Sequence, residues 1–110
     1  MEYRKIGHSD VVASVITLGA MPLGGGTWWR NSDDEVSIRT IHRAHELGIT
    51  SIDTAPIYGL GHSEEIVGKA IAGARDKYVI STKATFDWDT GVGRFWHEVD
   101  GHKVYVGHSY

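Results

Sequence analysis

Residues 49–83 read ITSIDTAPIYGLGHSEEIVGKAIAGARDKYVISTK, and the changes of character along this stretch decide the fold class. Ile49–Thr54 is a short run suited to a strand, and APIYGLGH after it is loop-forming. Ser63 is placed to cap a helix, with Glu64 and Glu65 in the first turn, where the helix dipole favours acidic groups. Ile66, Val67, Ala70 and Ile71 then recur at helical spacing and Gly73 ends the run. Tyr78–Lys83 is again apolar and β-branched. Strand, helix and strand within about 30 residues form a parallel crossover unit.

Working back from this unit, the same order occurs once more. Ile16–Gly19 is an apolar run ending in glycine, followed by the loop AMPLGGGTWWRN. Ser32 and Glu35 have the spacing of a capping box. Behind them Ile38, Ile41, Ala44 and Leu47 keep helical spacing, and Gly48 is placed to close the helix in the left-handed conformation. Residues 16–83 are therefore expected to be β-α-β-α-β, and the chain an α/β protein. Tyr3–Ile6 and Val12–Val15, separated by His8-Ser9-Asp10, predict a hairpin within 1–15. Phe95–Val99 and His102–Val106 flank Asp100-Gly101, a strong two-residue turn signal, and predict a second hairpin in the tail, 84–110. One domain over 1–110 accommodates all of this.

Composition excludes several functional classes. Hydrophobic residues make up 41% and charged residues 23%, and 11 basic against 14 acidic side chains leave a net charge of −3. Such a balance gives no electrostatic footprint for nucleic acid or an anionic membrane. There is no cysteine, hence no disulfide or thiolate–metal framework. No apolar run approaches the ~20 residues of a membrane span, and MEYRKIGHSD has no signal-peptide core. A cytoplasmic location is the expectation.

Strand parity collects chemistry on one face. Ile16, Leu18, Ile52, Tyr78, Ile80 and Thr82 are expected to face the helices, and Thr17, Gly19, Ser51, Asp53, Val79, Ser81 and Lys83 the other side. The polar residues gather at the C-terminal ends of the strands, where α/β folds build their sites. Strands lie about 4.8 Å apart, so Asp53 and Lys83 can pair directly, and Tyr58 leaves the same edge. A lysine ammonium beside a phenol favours the phenolate; such a tyrosine can give its proton to a carbonyl oxygen while a hydride attacks the carbon. Alone, Asp53 and Lys83 are equally consistent with a structural ion pair.

Other patterns carry less. Gly24-Gly25-Gly26 lacks the following Gly-Lys-Ser/Thr of a phosphate loop, and Gly59-Leu60-Gly61 lacks the third glycine of a dinucleotide fingerprint. Both are read as flexible loop glycines. Among seven histidines, His42 and His45 share a helix face at i, i+3, but spacing brings no third ligand, so no metal site is expected. His97, His102 and His108 lie in or beyond the tail hairpin.

SIDTAPIYGLGHSEEIVGKAI, followed by VISTKA, resembles the active-site signature of the aldo-keto reductases, closely over residues 1–83 and more loosely in the tail. The resemblance implies the N-terminal portion of a (β/α)8 barrel and NADPH-dependent reduction of a small carbonyl compound such as an aldehyde or sugar aldehyde. Asp53, Tyr58 and Lys83 then match the catalytic aspartate, tyrosine and lysine. Gly19, Ala20, Met21 and Asp53 lie near the nicotinamide, and Trp28, Trp29 and Tyr58 line the substrate mouth. The family's catalytic histidine follows its fourth strand, and its main cofactor segments belong to the second half of the barrel. A closed barrel needs about 250 residues. Three strands leave free edges, so a homo-oligomer is expected. A non-catalytic interaction module that keeps the motif by descent is the alternative.

Overall fold

The computed structural model describes residues 1–107. Strands β1 (Tyr3–Lys5) and β2 (Val12–Ser14) form the expected antiparallel hairpin, with Tyr3 opposite Ser14. Strands β3 (Thr17–Gly19), β4 (Ser51–Asp53) and β5 (Val79–Ser81) form a parallel sheet in the order β3-β4-β5. Helix α1 (Asp34–Glu46) joins the first pair and α2 (His62–Ala70) the second. The strands are shorter than their apolar runs. Even so, the ladder continues past them: Ala20 N donates to Asp53 O at 2.8 Å and Thr54 N to Ser81 O at 2.9 Å.

The register places Leu18, Ile52 and Ile80 in one row. This row faces the helices and packs with Ile41, Ile66, Val67, Ala70, Ile71 and Tyr78 in the main core. Ile16 departs from the expected parity. It lies before β3 and is 56% exposed, because the backbone there bends over the buried Ser14, whose Oγ donates to Ile16 O at 2.7 Å. The same oxygen accepts from Thr50 N at 3.0 Å and Ser51 N at 3.1 Å, tying the hairpin to the foot of the sheet.

Both helix starts differ from expectation. Asp33, not Ser32, caps α1: its carboxylate accepts from Val36 N at 2.8 Å. Ser32 turns back toward Leu23 O at 3.4 Å, so the capping box with Glu35 does not form. Helix α2 starts at His62 behind a left-handed Gly61 (φ 97°). Ser63 is fully buried and spends its hydroxyl on tertiary contacts instead of a cap. The C-terminal end of α1 is as expected, with Gly48 at φ 88°, although Leu47 is exposed rather than packed.

The tail is a separate antiparallel sheet in the order β6-β8-β7, from β6 (Phe86–Asp87), β7 (Arg94–Val99) and β8 (His102–Val106). Its hairpin turns at Asp100 (φ 49°) and Gly101 (φ 78°), the two left-handed residues of a type I′ turn. The two-residue β6 was not legible as a strand. Val99 and Val104 pack on Ala55 and Ile57 in a second core, so the tail covers the loop after β4. Neither β3 nor β5 has a strand on its outer side, and no closed barrel forms among the described residues.

The capping assignment is testable by chemical denaturation. Asp33→Ala is expected to cost about 1 kcal/mol through the lost cap, and Ser32→Ala only a few tenths.

Candidate active site

The ends of β4 and β5 put three side chains within reach of one another. Asp53 and Ser81 are opposite each other in the parallel register, and Lys83 follows two residues on. Lys83 Nζ donates to Asp53 Oδ1 at 3.1 Å, Asp53 Oδ2 at 2.9 Å and Thr54 O at 2.9 Å. An ammonium has three hydrogens, and it faces these three acceptors here. The hydroxyl of Ser81 donates to Asp53 Oδ1 at 2.9 Å. The Tyr58 ring centroid is 5.2 Å from Nζ, within cation–π range.

The Lys83 hydrogen bond, helped by the one from Ser81, holds the Asp53 carboxyl below its ordinary range against a smaller opposing effect of burial. Lys83 is raised, first by its hydrogen bond to Asp53 and also by the nearby Tyr58 oxygen. Both effects favour the charged form of Lys83, which stands beside the phenol.

Tyr58 is held by its backbone. Its N donates to Ala55 O at 3.1 Å, and its O accepts from Ser63 N at 3.1 Å. A Cβ on Gly24 would meet Tyr58 C at 2.7 Å, and one on Gly59 would run into Gly24 O. Gly24 and Gly59 are therefore close-packing glycines and not the flexible ones expected. Beneath them, Ser63 Oγ donates to Ala20 O at 2.8 Å and lies 2.9 Å from Thr54 Oγ1. This buried pair joins the 19–21 segment to the residue whose carbonyl holds Lys83.

The remaining predicted residues are distributed unevenly. Gly19 ends β3 opposite Asp53, with nothing within 4 Å of where a Cβ would stand, and Met21 is 39% exposed beside it in chain. Ala20 is buried, and both its N and O are already bonded. Trp28 stands edge-on to Trp96 at 6.1 Å, and Trp96 edge-on to Phe86 at 5.6 Å. Trp29 lines a different groove, of about 250 Å³, with Pro22, Leu23 and Asn31 at the start of α1. The structure therefore does not bring the two tryptophans together. Asp100 accepts from Thr27 N at 2.7 Å and also from Thr27 Oγ1, which fastens the tail turn to the tryptophan loop.

Sequence alone gives Ser81, Thr54 and Ser63 no place in the site. Ser81 carries a signal, since it shares the parity of Asp53; Ser63 has the pattern of a cap, but its hydroxyl is drawn inward. His42 Nε2 bonds Ala70 O at 2.7 Å and His45 lies on Tyr78 at 4.6 Å, so both serve helix packing. Among the described residues no group of three metal-ligating side chains gathers. His97 and His102 lie in β7 and β8; His108 lies outside the described residues.

Residues 15–108 match the Aldo/keto reductase family, and the chain belongs to it. Over 90 residues it is 51% identical to the aldo-keto reductase YhdN of Bacillus subtilis, covering 80% of this chain and 27% of that protein. It is 37% identical over 102 residues to the NADH-specific methylglyoxal reductase of Escherichia coli, covering 91% and 31%. Among solved structures it resembles the glycerol dehydrogenase AKR11B4 from Gluconobacter oxydans, with TM-score 0.72 and 38% identity over 96% of this chain and 30% of that one. The holo form of the aldo-keto reductase AKR11C1 from Bacillus halodurans gives TM-score 0.71 at 33% identity, over 87% and 30%. The chain thus spans about a third of the length of these relatives, and its fold is a portion of the (β/α)8 barrel.

The Asp53–Lys83 pair makes a pH prediction. The lowered carboxyl stabilises the fold above its unfolded value of 3.8 and loses that contribution as pH falls through the folded one; the raised lysine stabilises below 10.5 and loses it as pH rises through the folded value. Both side chains are 41% exposed, so the pair is worth only ~0.2–1 kcal/mol. Asp53→Asn is expected to destabilise by no more than that at neutral pH in urea titrations, with the difference fading in acid.

Proposed function

We propose that Asp53, Tyr58 and Lys83 are the proton-delivery part of an NADPH-dependent reductase acting on small carbonyl compounds. The supporting observation is Lys83, bonded to both Asp53 oxygens and to Thr54 O, with its charge against Tyr58. Tyr58 O–H gives its proton to the carbonyl oxygen, and the adjacent ammonium stabilises the phenolate left behind. The open surface over Gly19, next to Asp53 and Met21, fits the edge of a flat ring. Ala20 would shape that surface through its backbone bonds. A nicotinamide cofactor, when bound, supplies the hydride. The family likeness favours NADPH, while the E. coli relative is named as NADH-specific, so both forms belong in the assay. Trp28 is proposed to wall the substrate mouth; Trp29, in its own groove, contributes less.

The test follows NADPH and NADH oxidation with methylglyoxal as the probe, together with a fluorescence titration of each cofactor. The 110-residue chain is expected to turn over weakly or undetectably, because cofactor binding and positioning supply much of the rate. Tyr58→Phe is expected to lower any measurable rate at least ~100-fold. Turnover indifferent to that change rejects the reading. No cofactor binding favours instead a non-catalytic module that keeps the motif by descent.

We further propose a single domain over 1–110 that self-associates. The outer edges of β3 and β5 carry no strand among the described residues, and free edges invite pairing. A cytoplasmic location is part of the proposal; no helix among the described residues is long and apolar enough to cross a membrane. Sedimentation over a concentration series is expected to show homo-oligomers or aggregation; a cooperatively folded monomer at all concentrations overturns this.

A further inference from the structure

We propose that Ser81 is a positioning residue for the proposed reaction, holding Asp53 Oδ1 in place while Lys83 turns one of its hydrogens to Tyr58. The inference rests on the reductase reading of the site and adds a role that the signature residues alone do not contain.

It starts from a shortage of donors. Lys83 Nζ has three hydrogens and more acceptors than that: the two Asp53 oxygens and Thr54 O, with the Tyr58 oxygen also close by. When Tyr58 surrenders its proton to the carbonyl oxygen, its own oxygen becomes a strong acceptor, and the ammonium serves it fully by loosening its hold on one of the other three. Thr54 O is fixed by a buried residue whose hydroxyl is bonded to Ser63. Of the two carboxylate contacts, the one to Oδ1 is longer, 3.1 Å against 2.9 Å.

Oδ1 is also the oxygen that Ser81 holds, at 2.9 Å. When Lys83 releases Oδ1, the carboxylate oxygen keeps a hydrogen-bond donor, and the carboxyl plane stays aligned so that Oδ2 retains the lysine. Without the hydroxyl, releasing Oδ1 strips it of its protein donors, so the lysine stays where it is. Ser81 is placed for this by the sheet itself, being the residue of β5 opposite Asp53 in β4. The hydroxyl's other contact, to Ile52 O at 3.5 Å, is too long to compete. Ser81 is exposed, so its removal leaves no buried cavity.

The test compares the wild-type chain with Ser81→Ala and Ser81→Thr. Carbon-13 NMR of the Asp53 carboxyl, read on the 110-residue protein, needs no turnover. In Ser81→Ala the carboxyl midpoint is expected to rise by about half a pH unit, and in Ser81→Thr, which keeps the hydroxyl, to return. Thermal unfolding is expected to stay unchanged. Where the wild-type chain turns over measurably with methylglyoxal and NADPH, Ser81→Ala is expected to lower kcat about tenfold with KM unchanged, and Ser81→Thr to restore it. An Asp53 midpoint identical in wild type and Ser81→Ala overturns the proposal, as does a kcat that Ser81→Ala leaves alone. If the reductase reading itself fails, the sign is different: no cofactor binding in the fluorescence titration, or a turnover indifferent to Tyr58→Phe, but an Asp53 midpoint that still depends on Ser81. That result keeps the hydroxyl's hold on the carboxylate and removes its catalytic role.

Discussion

The arrangement rests on the parallel register of three short strands. Gly19, Asp53 and Ser81 occupy one row, and Leu18, Ile52 and Ile80 the row before it. Because side chains alternate across a strand, this one register decides two things together. The apolar row is committed to the helices, and the following row is turned to the opposite face. A slip of one residue in β5 would send Ile80 out of the core and separate Ser81 from Asp53. Burial of Ile52 and Tyr78 against Ile41 and Ile66 therefore also fixes the carboxylate and its two donors. Fully burying one such side chain is worth ~1.5–3 kcal/mol, more than the exposed ion pair contributes, so the core sets the site and not the reverse.

Tyr58 lies outside the sheet and needs other restraints. It gets them from backbone contact, where Gly24 and Gly59 meet at a distance no side chain allows, and from the tail, whose Val99 and Val104 cover Ala55 and Ile57. The hydroxyls of Thr54 and Ser63, both buried, complete a chain from Ala20 to the carbonyl that anchors Lys83. Buried polar groups of this kind must be bonded, and here the bonds run between the segments that form the site. The tail and the tryptophan loop are fastened at Asp100 and Thr27. Position 58 is thus set by three separate parts of the chain.

Legibility in the sequence followed the range of the interactions. The alternating units, the tail hairpin and the Asp53–Lys83 pair could be read because period, turn chemistry and parity are local signals. The caps of both helices were misjudged for one reason. Ser32 and Ser63 are good caps in isolation, but Asp33 competes locally in the first case, and in the second a buried acceptor, Ala20 O, claims the hydroxyl. Gly24 and Gly59 were unreadable because their requirement comes from each other, 35 positions apart in chain. Tyr58 enters the proposed site through the family likeness, since no periodicity singles it out, while Trp28 and Trp29, adjacent in sequence, went to different surroundings.

On the proposed reading of the site, the exposure of the Asp53–Lys83 pair fits catalysis better than stabilisation. Buried, the two charges would attract more strongly but would each pay a desolvation penalty of several kcal/mol, and the lysine would be held too firmly to turn. At 41% exposure for each side chain, the charges remain solvated and the coupling modest. What the geometry secures instead is protonation state: the carboxyl is held down and the lysine up, so the positive charge beside Tyr58 persists across the physiological range. A lysine bonded loosely enough to exchange acceptors, next to a carboxylate that a second donor keeps oriented, can follow the charge that appears on a tyrosine as it loses its proton.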